Sequence, residues 1–303
     1  MKEVALQPYA RLPREYRGLK VLAGTVDAYG RALWLLSDNP DARSDDLSGS
    51  GRLTALSRKQ PYDALLVMDK NGAASELVLH DVHLLVGNLD ALPNGRFLLA
   101  GTAAWHRTPG STTANAQIYG RDGRSRRSFP IGQVGHLLAD RRHNVWTGYF
   151  DQAIYGDSIS APGLVRWDTG GNQRWAYQPP PGAEPIADCY ALNVADGVAW
   201  VYYYQAFCLL EIHTGGRLTV RGTPVKGAHG LAVQGDRVTF LGSRGHHDRL
   251  HRCRLTDDAV LLEEEAILTM PGGRPLGRYR VVSRAHTLYL LDPSSHSWHV
   301  FPT

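Results

Sequence analysis

Cysteine is scarce: Cys189, Cys208 and Cys253 are the only three in 303 residues. No two form a CxxC pair, so neither a disulfide framework nor zinc-finger spacing is available, and a reducing, cytoplasmic setting is expected. Long apolar runs are also missing, which excludes a helical membrane span and gives no reason to expect a membrane partner. The opening Met1-Lys2-Glu3-Val4-Ala5-Leu6-Gln7-Pro8 carries no apolar core of signal-peptide length, so the chain reads as soluble. Charge of one sign is nearly balanced, with 33 Lys and Arg against 29 Asp and Glu for a formal +4 and a pI near 9.0. The excess is spread along the chain, and without a basic stripe no nucleic-acid partner is expected. Helical periodicity is almost absent, and no nucleotide or flavin motif occurs.

What the chain has in quantity is turn residues, 32 Gly and 17 Pro, set between short apolar runs. One kind of hairpin repeats: Leu65-Leu66-Val67-Met68-Asp69 turns at Lys70-Asn71-Gly72, and Gln117-Ile118-Tyr119-Gly120 turns at Arg121-Asp122-Gly123. Further copies turn at Thr169-Gly170-Gly171, Thr214-Gly215-Gly216 and Thr256-Asp257-Asp258. A second kind lies between them, with turns at Asn94-Gly95, Arg142-His143-Asn144, Asp196-Gly197, Gly235-Asp236 and Arg284-Ala285-His286. Two hairpins per repeat make four strands, and a spacing of roughly 35 to 55 residues is that of a propeller blade.

The pattern predicts an all-β, six-bladed β-propeller forming a single domain over 1–303, with four antiparallel strands per blade. Labelling strands a to d from the axis outward, strand a is expected at 19–27, 83–90, 135–140, 189–194, 229–234 and 279–283. The last blade has its third strand at Ser297-Trp298-His299-Val300-Phe301 and lacks a fourth, which Glu3-Val4-Ala5-Leu6-Gln7 is expected to supply. Such closure removes an open sheet edge. Residues 37–62 are too polar for a seventh blade and read as a long loop.

The architecture resembles the six-bladed propellers of the gluconolactonase-like and NHL-repeat groups along the whole chain. The metal-ligand set of gluconolactonase-like enzymes is not found, so the resemblance implies fold and no activity. One blade is similar to a WD40 repeat, with Gly135-His136 opening strand a and Trp167-Asp168 closing strand c. That similarity implies a structural hydrogen-bond network of His136, Thr147, Asp151 and Trp167. Met68-Asp69 and Ile212-His213 stand where other blades would repeat the Trp-Asp pair.

In a propeller the d-to-a and b-to-c connections emerge on one face, and the longest b-to-c connections, near 37–62, 103–114 and 150–162, place the functional face there. Titratable groups open the inner strands: His83, His136, Asp188, Tyr190 and His229 form the candidate catalytic set. His106, Tyr149, Asp151, Tyr203, Arg278 and Arg280 form the candidate substrate-binding set. Histidine moves protons near neutral pH, aromatics stack, and arginine clamps carboxylate or phosphate. His83, His136 and His229 come from different blades and are the candidate ligands of a divalent metal. For each histidine the competing reading is structural, and Cys189 reads as an inert buried thiol. His246-His247-Asp248 reads as a solvated turn, and the basic hairpin Arg121, Arg124, Arg126 and Arg127 as a charge-protected edge.

The functional expectation is an enzyme or binding protein that holds a polar small molecule and uses His, Tyr and Arg for proton transfer, of lyase, isomerase, cyclase or hydrolase type. The alternative is a non-catalytic scaffold for a protein partner. Glycoside processing lacks a carboxylate pair, since Asp151 and Asp188 are the only candidates.

Overall fold

The computed structural model describes residues 1–39, 60–101 and 114–302. The chain falls into two compact units, an early one spanning Leu12–Tyr177 and a late one built from Met1–Arg11 and Gln178–Thr303. Two short strands come first, β1 (Lys2–Ala5) and β2 (Gln7–Arg11), and both belong to the late unit.

The early unit contains three four-stranded antiparallel sheets. The first is β3 (Lys20–Val26), β4 (Ala32–Ser37), β5 (Tyr62–Lys70) and β6 (Ala73–Val82). The second is β7 (Val86–Leu92), β8 (Arg96–Gly101), β9 (Ala116–Tyr119) and β10 (Ser125–Phe129). The third is β11 (Val134–Ala139), β12 (Asn144–Tyr149), β13 (Leu164–Asp168) and β14 (Gln173–Ala176), with a short helix α1 (Asp151–Gly156) between β12 and β13.

In the late unit the fourth blade is β15 (Asp188–Ala195), β16 (Val198–Tyr204), β17 (Cys208–His213) and β18 (Leu218–Gly222). The fifth is β19 (Gly230–Gln234), β20 (Arg237–Ser243), β21 (His246–Leu255) and β22 (Val260–Thr269), with β1 added in parallel outside β22. The sixth is β23 (Arg280–Arg284), β24 (Thr287–Asp292) and β25 (Ser297–Pro302), completed by β2. Inner strands β15 and β23 touch through two parallel pairs, Asn193 with Ser283 and Val194 with Arg284, so blades four and six read as one eight-stranded sheet.

The fold is therefore all-β and propeller-like, and β3, β7, β11, β15, β19 and β23 fall where the turn spacing placed the first strand of each repeat. The closing strand does not. Glu3, Val4 and Ala5 pair with Ile267, Leu268 and Thr269 of blade five, and it is Gln7–Arg11 that pairs with β25, with Ala10 opposite Trp298. Pro8 sits in this outermost strand at a bulge, where its missing N–H costs no ladder bond. Leu6, between the two strands, is buried with Leu250, Leu268, Leu276, Leu290 and Phe301 in the core that joins blades five and six.

Burial explains the sequence pattern. Strands inside a blade are covered on both faces, so they include continuous apolar runs such as the fully buried Leu33-Trp34-Leu35-Leu36 of β4. Outer strands such as β6 and β10 are largely exposed, and β10 is also largely polar. The turns follow local chemistry, as at Asn71-Gly72, where both residues take the positive φ that a two-residue hairpin turn requires. The expected loop at 37–62 lies largely, through 40–59, outside the described residues.

Candidate functional site

The late unit varies its d-to-a connections. Residues 223–229 join β18 to β19, and 270–279 join β22 to β23. The first is held from below by Tyr202 of β16, whose hydroxyl donates to the Val225 carbonyl at 2.8 Å and accepts the Gly227 amide at 3.0 Å. The Arg244 amide donates to the Lys226 carbonyl at 3.0 Å, tying the same connection to the β20–β21 turn. His229 ends this connection, and its ring lies over Gly242. A Cβ at Gly242 would stand 2.2 Å from His229 Cε1, and Gly242 has φ +88°, so glycine is required there on two counts.

The second connection is anchored by buried Leu276 and closed by the Met270 amide donating to the Arg274 carbonyl at 2.8 Å. It delivers Tyr279 between two histidines. The Tyr279 hydroxyl makes a very short contact with the His247 carbonyl, which can only accept, so the phenol donates there. Its oxygen then accepts from His229 Nε2–H at 2.5 Å. His247 Nε2 in turn donates to the Leu276 carbonyl at 3.0 Å. Both rings thus carry their proton on Nε2, and His229 keeps its lone pair on Nδ1. Burial, reinforced by neighbouring His247, holds the His229 pKa below the ordinary imidazole value, while burial pushes the Tyr279 phenol up. At neutral pH the array is therefore a neutral imidazole donating to a protonated phenol.

Tyr279 also lines a pocket of about 350 Å³ beside blade six. Its lining includes the apolar Met270, Leu276 and Leu290 and the polar Arg274, Arg278 and His299. That volume lies at the small end of ligand sites. Asp292, at its edge, is turned to its own loop, accepting from the hydroxyls of Ser294 at 2.6 Å and Ser295 at 2.8 Å, and these bonds keep its carboxylate ionised.

Of the sequence-derived candidates, the structure brings His229 into this array and Arg278 into the pocket. Arg280 opens β23 and is exposed. Asp188 and Tyr190 open β15 in blade four, where Tyr190 stacks on Tyr204 with ring centres 5.8 Å apart. Tyr203 is fully buried, its hydroxyl directed at the Glu184 carbonyl. Cys189 is buried, and burial drives its thiol pKa upward, away from nucleophilic use.

In the early unit, His83 is exposed and its amide donates to Gln117 Oε1 at 2.9 Å, part of a clamp in which Gln117 also reaches the Asp81 carbonyl. The WD40-like network exists with altered membership. Trp167 Nε1 donates to Thr147 Oγ1 at 2.9 Å, Thr147 donates to the Tyr149 hydroxyl at 2.8 Å, and Tyr149 donates to the Ile131 carbonyl at 2.8 Å. Tyr149, fully buried, takes the place expected for Asp151, which instead accepts the Gln152 amide at the start of α1. His136 is half-buried opposite Gly148 in β11. His106 lies outside the described residues. Among the described residues, no group of three or more His, Cys, Asp or Glu side chains is placed to hold a metal ion, so the His83, His136 and His229 set gains no support.

Three residues of the site escaped the sequence reading. His247 reads as part of a solvated turn, His299 as one residue of the last strand, and Arg274 is not among the candidates. The one available signal was the density of Arg, Tyr, Gly and Pro between Thr269 and Arg280, unusual for a plain connection.

No helix of the described residues is long and apolar enough to cross a membrane. No family model matches the sequence, and no curated protein matches it. Among solved structures, the chain is similar to Kluyvelomyces marxianus Hsv2 at TM-score 0.53 and 11% identity, covering 94% of this chain and 72% of that one. It is also similar to KlHsv2 with loop 6CD replaced by a Gly-Ser linker, at TM-score 0.51 and 9% identity, covering 94% and 78%. A catalytically inactive virginiamycin B lyase from Staphylococcus aureus with quinupristin aligns at TM-score 0.46 and 13% identity, over 98% and 99% of the two chains. At these identities the likeness is one of fold alone: the chain has a β-propeller fold.

Proposed function

We propose that the late unit binds a polar small molecule in the pocket beside blade six and that the Tyr279–His229 pair is its proton-transfer group. One observation carries this reading: Tyr279 is at once a wall of the pocket and the centre of the histidine array. Burial keeps the phenol protonated at neutral pH, the form in which it can give up a proton as a general acid. When Tyr279 passes its proton to a substrate atom, the resulting phenolate is stabilised by the His229 Nε2–H already aimed at it. Such a step serves elimination, isomerisation, cyclisation or hydrolysis alike.

The purified protein is incubated with an extract of polar metabolites, and retained and converted species are read by mass spectrometry. Tyr279→Phe keeps the ring and removes the proton, so it should retain the ligand while conversion falls by about 10²–10⁴-fold. Gly242→Ala, which pushes the His229 ring away, should have a smaller effect in the same direction. Conversion by Tyr279→Phe at the wild-type rate overturns the catalytic reading. Absence of any retained small molecule overturns the pocket reading and favours the protein-interaction scaffold.

A further inference from the structure

Several arginines elsewhere in the late unit are matched to carboxylates. On β21, Arg252 meets Glu264 at 2.7 Å, Arg254 meets Glu263 at 2.9 Å and Arg249 meets Glu265 at 3.7 Å, each across to β22. Arg221 likewise meets Glu211 at 2.8 Å. Arg274 and Arg278 differ: both line the pocket, both are exposed, and neither side chain has an ion-pair partner among the described residues. The nearest acid in the pocket wall, Asp292, is occupied by Ser294 and Ser295.

The same pocket is lined by His299 of β25, which is 9% exposed and whose Nδ1 has no hydrogen-bond partner. A buried polar atom left without a partner in a ligand-sized cavity marks a place for a ligand group. Met270, Leu276 and Leu290 supply apolar lining to the same pocket, with Leu290 directly across from His299 in the β24–β25 pair. The connection that carries both arginines is held in place by Leu276 in the core and by His247 on its carbonyl, so the site is formed without a ligand.

We infer that this pocket is an anion site for an amphiphilic small molecule, whose carboxylate or phosphate head is held by Arg274, Arg278 and His299 and whose apolar body lies against Met270, Leu276 and Leu290. The inference rests on the pocket proposed above and adds to it the chemical class of the ligand. Two guanidinium forks suit either head group, and neutral imidazole supplies one further hydrogen bond. With both arginines exposed, the anion replaces water at the guanidiniums and gives the buried His299 Nδ1 its missing partner.

The test is calorimetric titration of the full chain with three probes of the same size: phenylacetate, phenyl phosphate and the uncharged phenylacetamide. One or both anions should bind with 1:1 stoichiometry, and whichever binds more tightly identifies the head group. Arg278→Ala and Arg274→Ala should each weaken that binding by about 10-fold or more, as loss of a charged hydrogen-bond partner does. His299→Gln should weaken it less, and Arg124→Ala, on an exposed turn of the early unit, should not change it. Melting temperatures recorded alongside show whether any variant has lost its fold. Equal binding of phenylacetamide and the anions, or anion binding unaffected in both arginine variants, overturns the anion site while leaving the pocket in place. Failure of all three probes to bind overturns the site together with the pocket reading on which it rests.

Discussion

The two units share one blade plan and place their chain length differently. In the early unit the b-to-c segments are long, covering 38–61, 102–115 and 150–163, while the d-to-a segments 83–85 and 130–133 are short. In the late unit the order reverses: the b-to-c turns 205–207, 244–245 and 293–296 are tight, and 223–229 and 270–279 are extended. The described pocket and histidine array belong to the late unit. The early unit holds the buried hydrogen-bonded chain Trp167–Thr147–Tyr149, and the late unit holds His299 Nδ1, unpartnered, at the wall of the pocket.

The largest effect that would break this contrast comes from removing residues 2–11. The deletion strips β1 from blade five and β2 from blade six, exposes two sheet edges and uncovers the core around Leu6. Hydrogen exchange read by mass spectrometry should show protection collapsing in peptides of 178–302 and surviving in 12–177. Collapse of both units together would mean that they fold as one.

A more moderate and opposite effect should follow Trp167→Phe. The substitution keeps the aromatic packing against Phe129 and removes the buried N–H that Thr147 accepts, so it should cost about 1–3 kcal/mol. Exchange should quicken in the early unit only. A denaturant midpoint unchanged from wild type would show that the network is not structural.

The smallest effect concerns pH. Burial lowers the pKa of His229, His251 and His299, all in the late unit, below the ordinary 6.5. An imidazole with a depressed folded pKa binds its proton more readily when unfolded, so stability is lost as pH falls through about 6.5 and is regained above it. Exchange at pH 5 relative to pH 7, corrected for intrinsic rates, should accelerate in 178–302 more than in 12–177. Equal acceleration of the two would remove this distinction.

Much of the fold was legible because it depends on neighbours in sequence. Asn71-Gly72 needs no distant partner to make its turn, and a strand buried on both faces declares itself as an apolar run wherever its blade is. The closing strand was misplaced because alternation over residues 2–11 suits a place beside either β22 or β25. The choice is made by Leu6 entering the core between blades five and six and by Pro8, which tolerates an edge position. The site was half legible. His229 and Arg278 were named from their positions at inner-strand heads, yet Tyr279, the residue that links array and pocket, meets His229 across 50 positions of sequence. His299 looked like any alternate residue of a strand.

By itself the amino-acid sequence determined the strand class, the turns and the blade repeat, since these follow from local backbone preference and from a two-residue period. Only the tertiary structure decided which strand closes which blade, which arginines lack an acid, and which histidines share a phenol, because those depend on separations that pattern cannot measure.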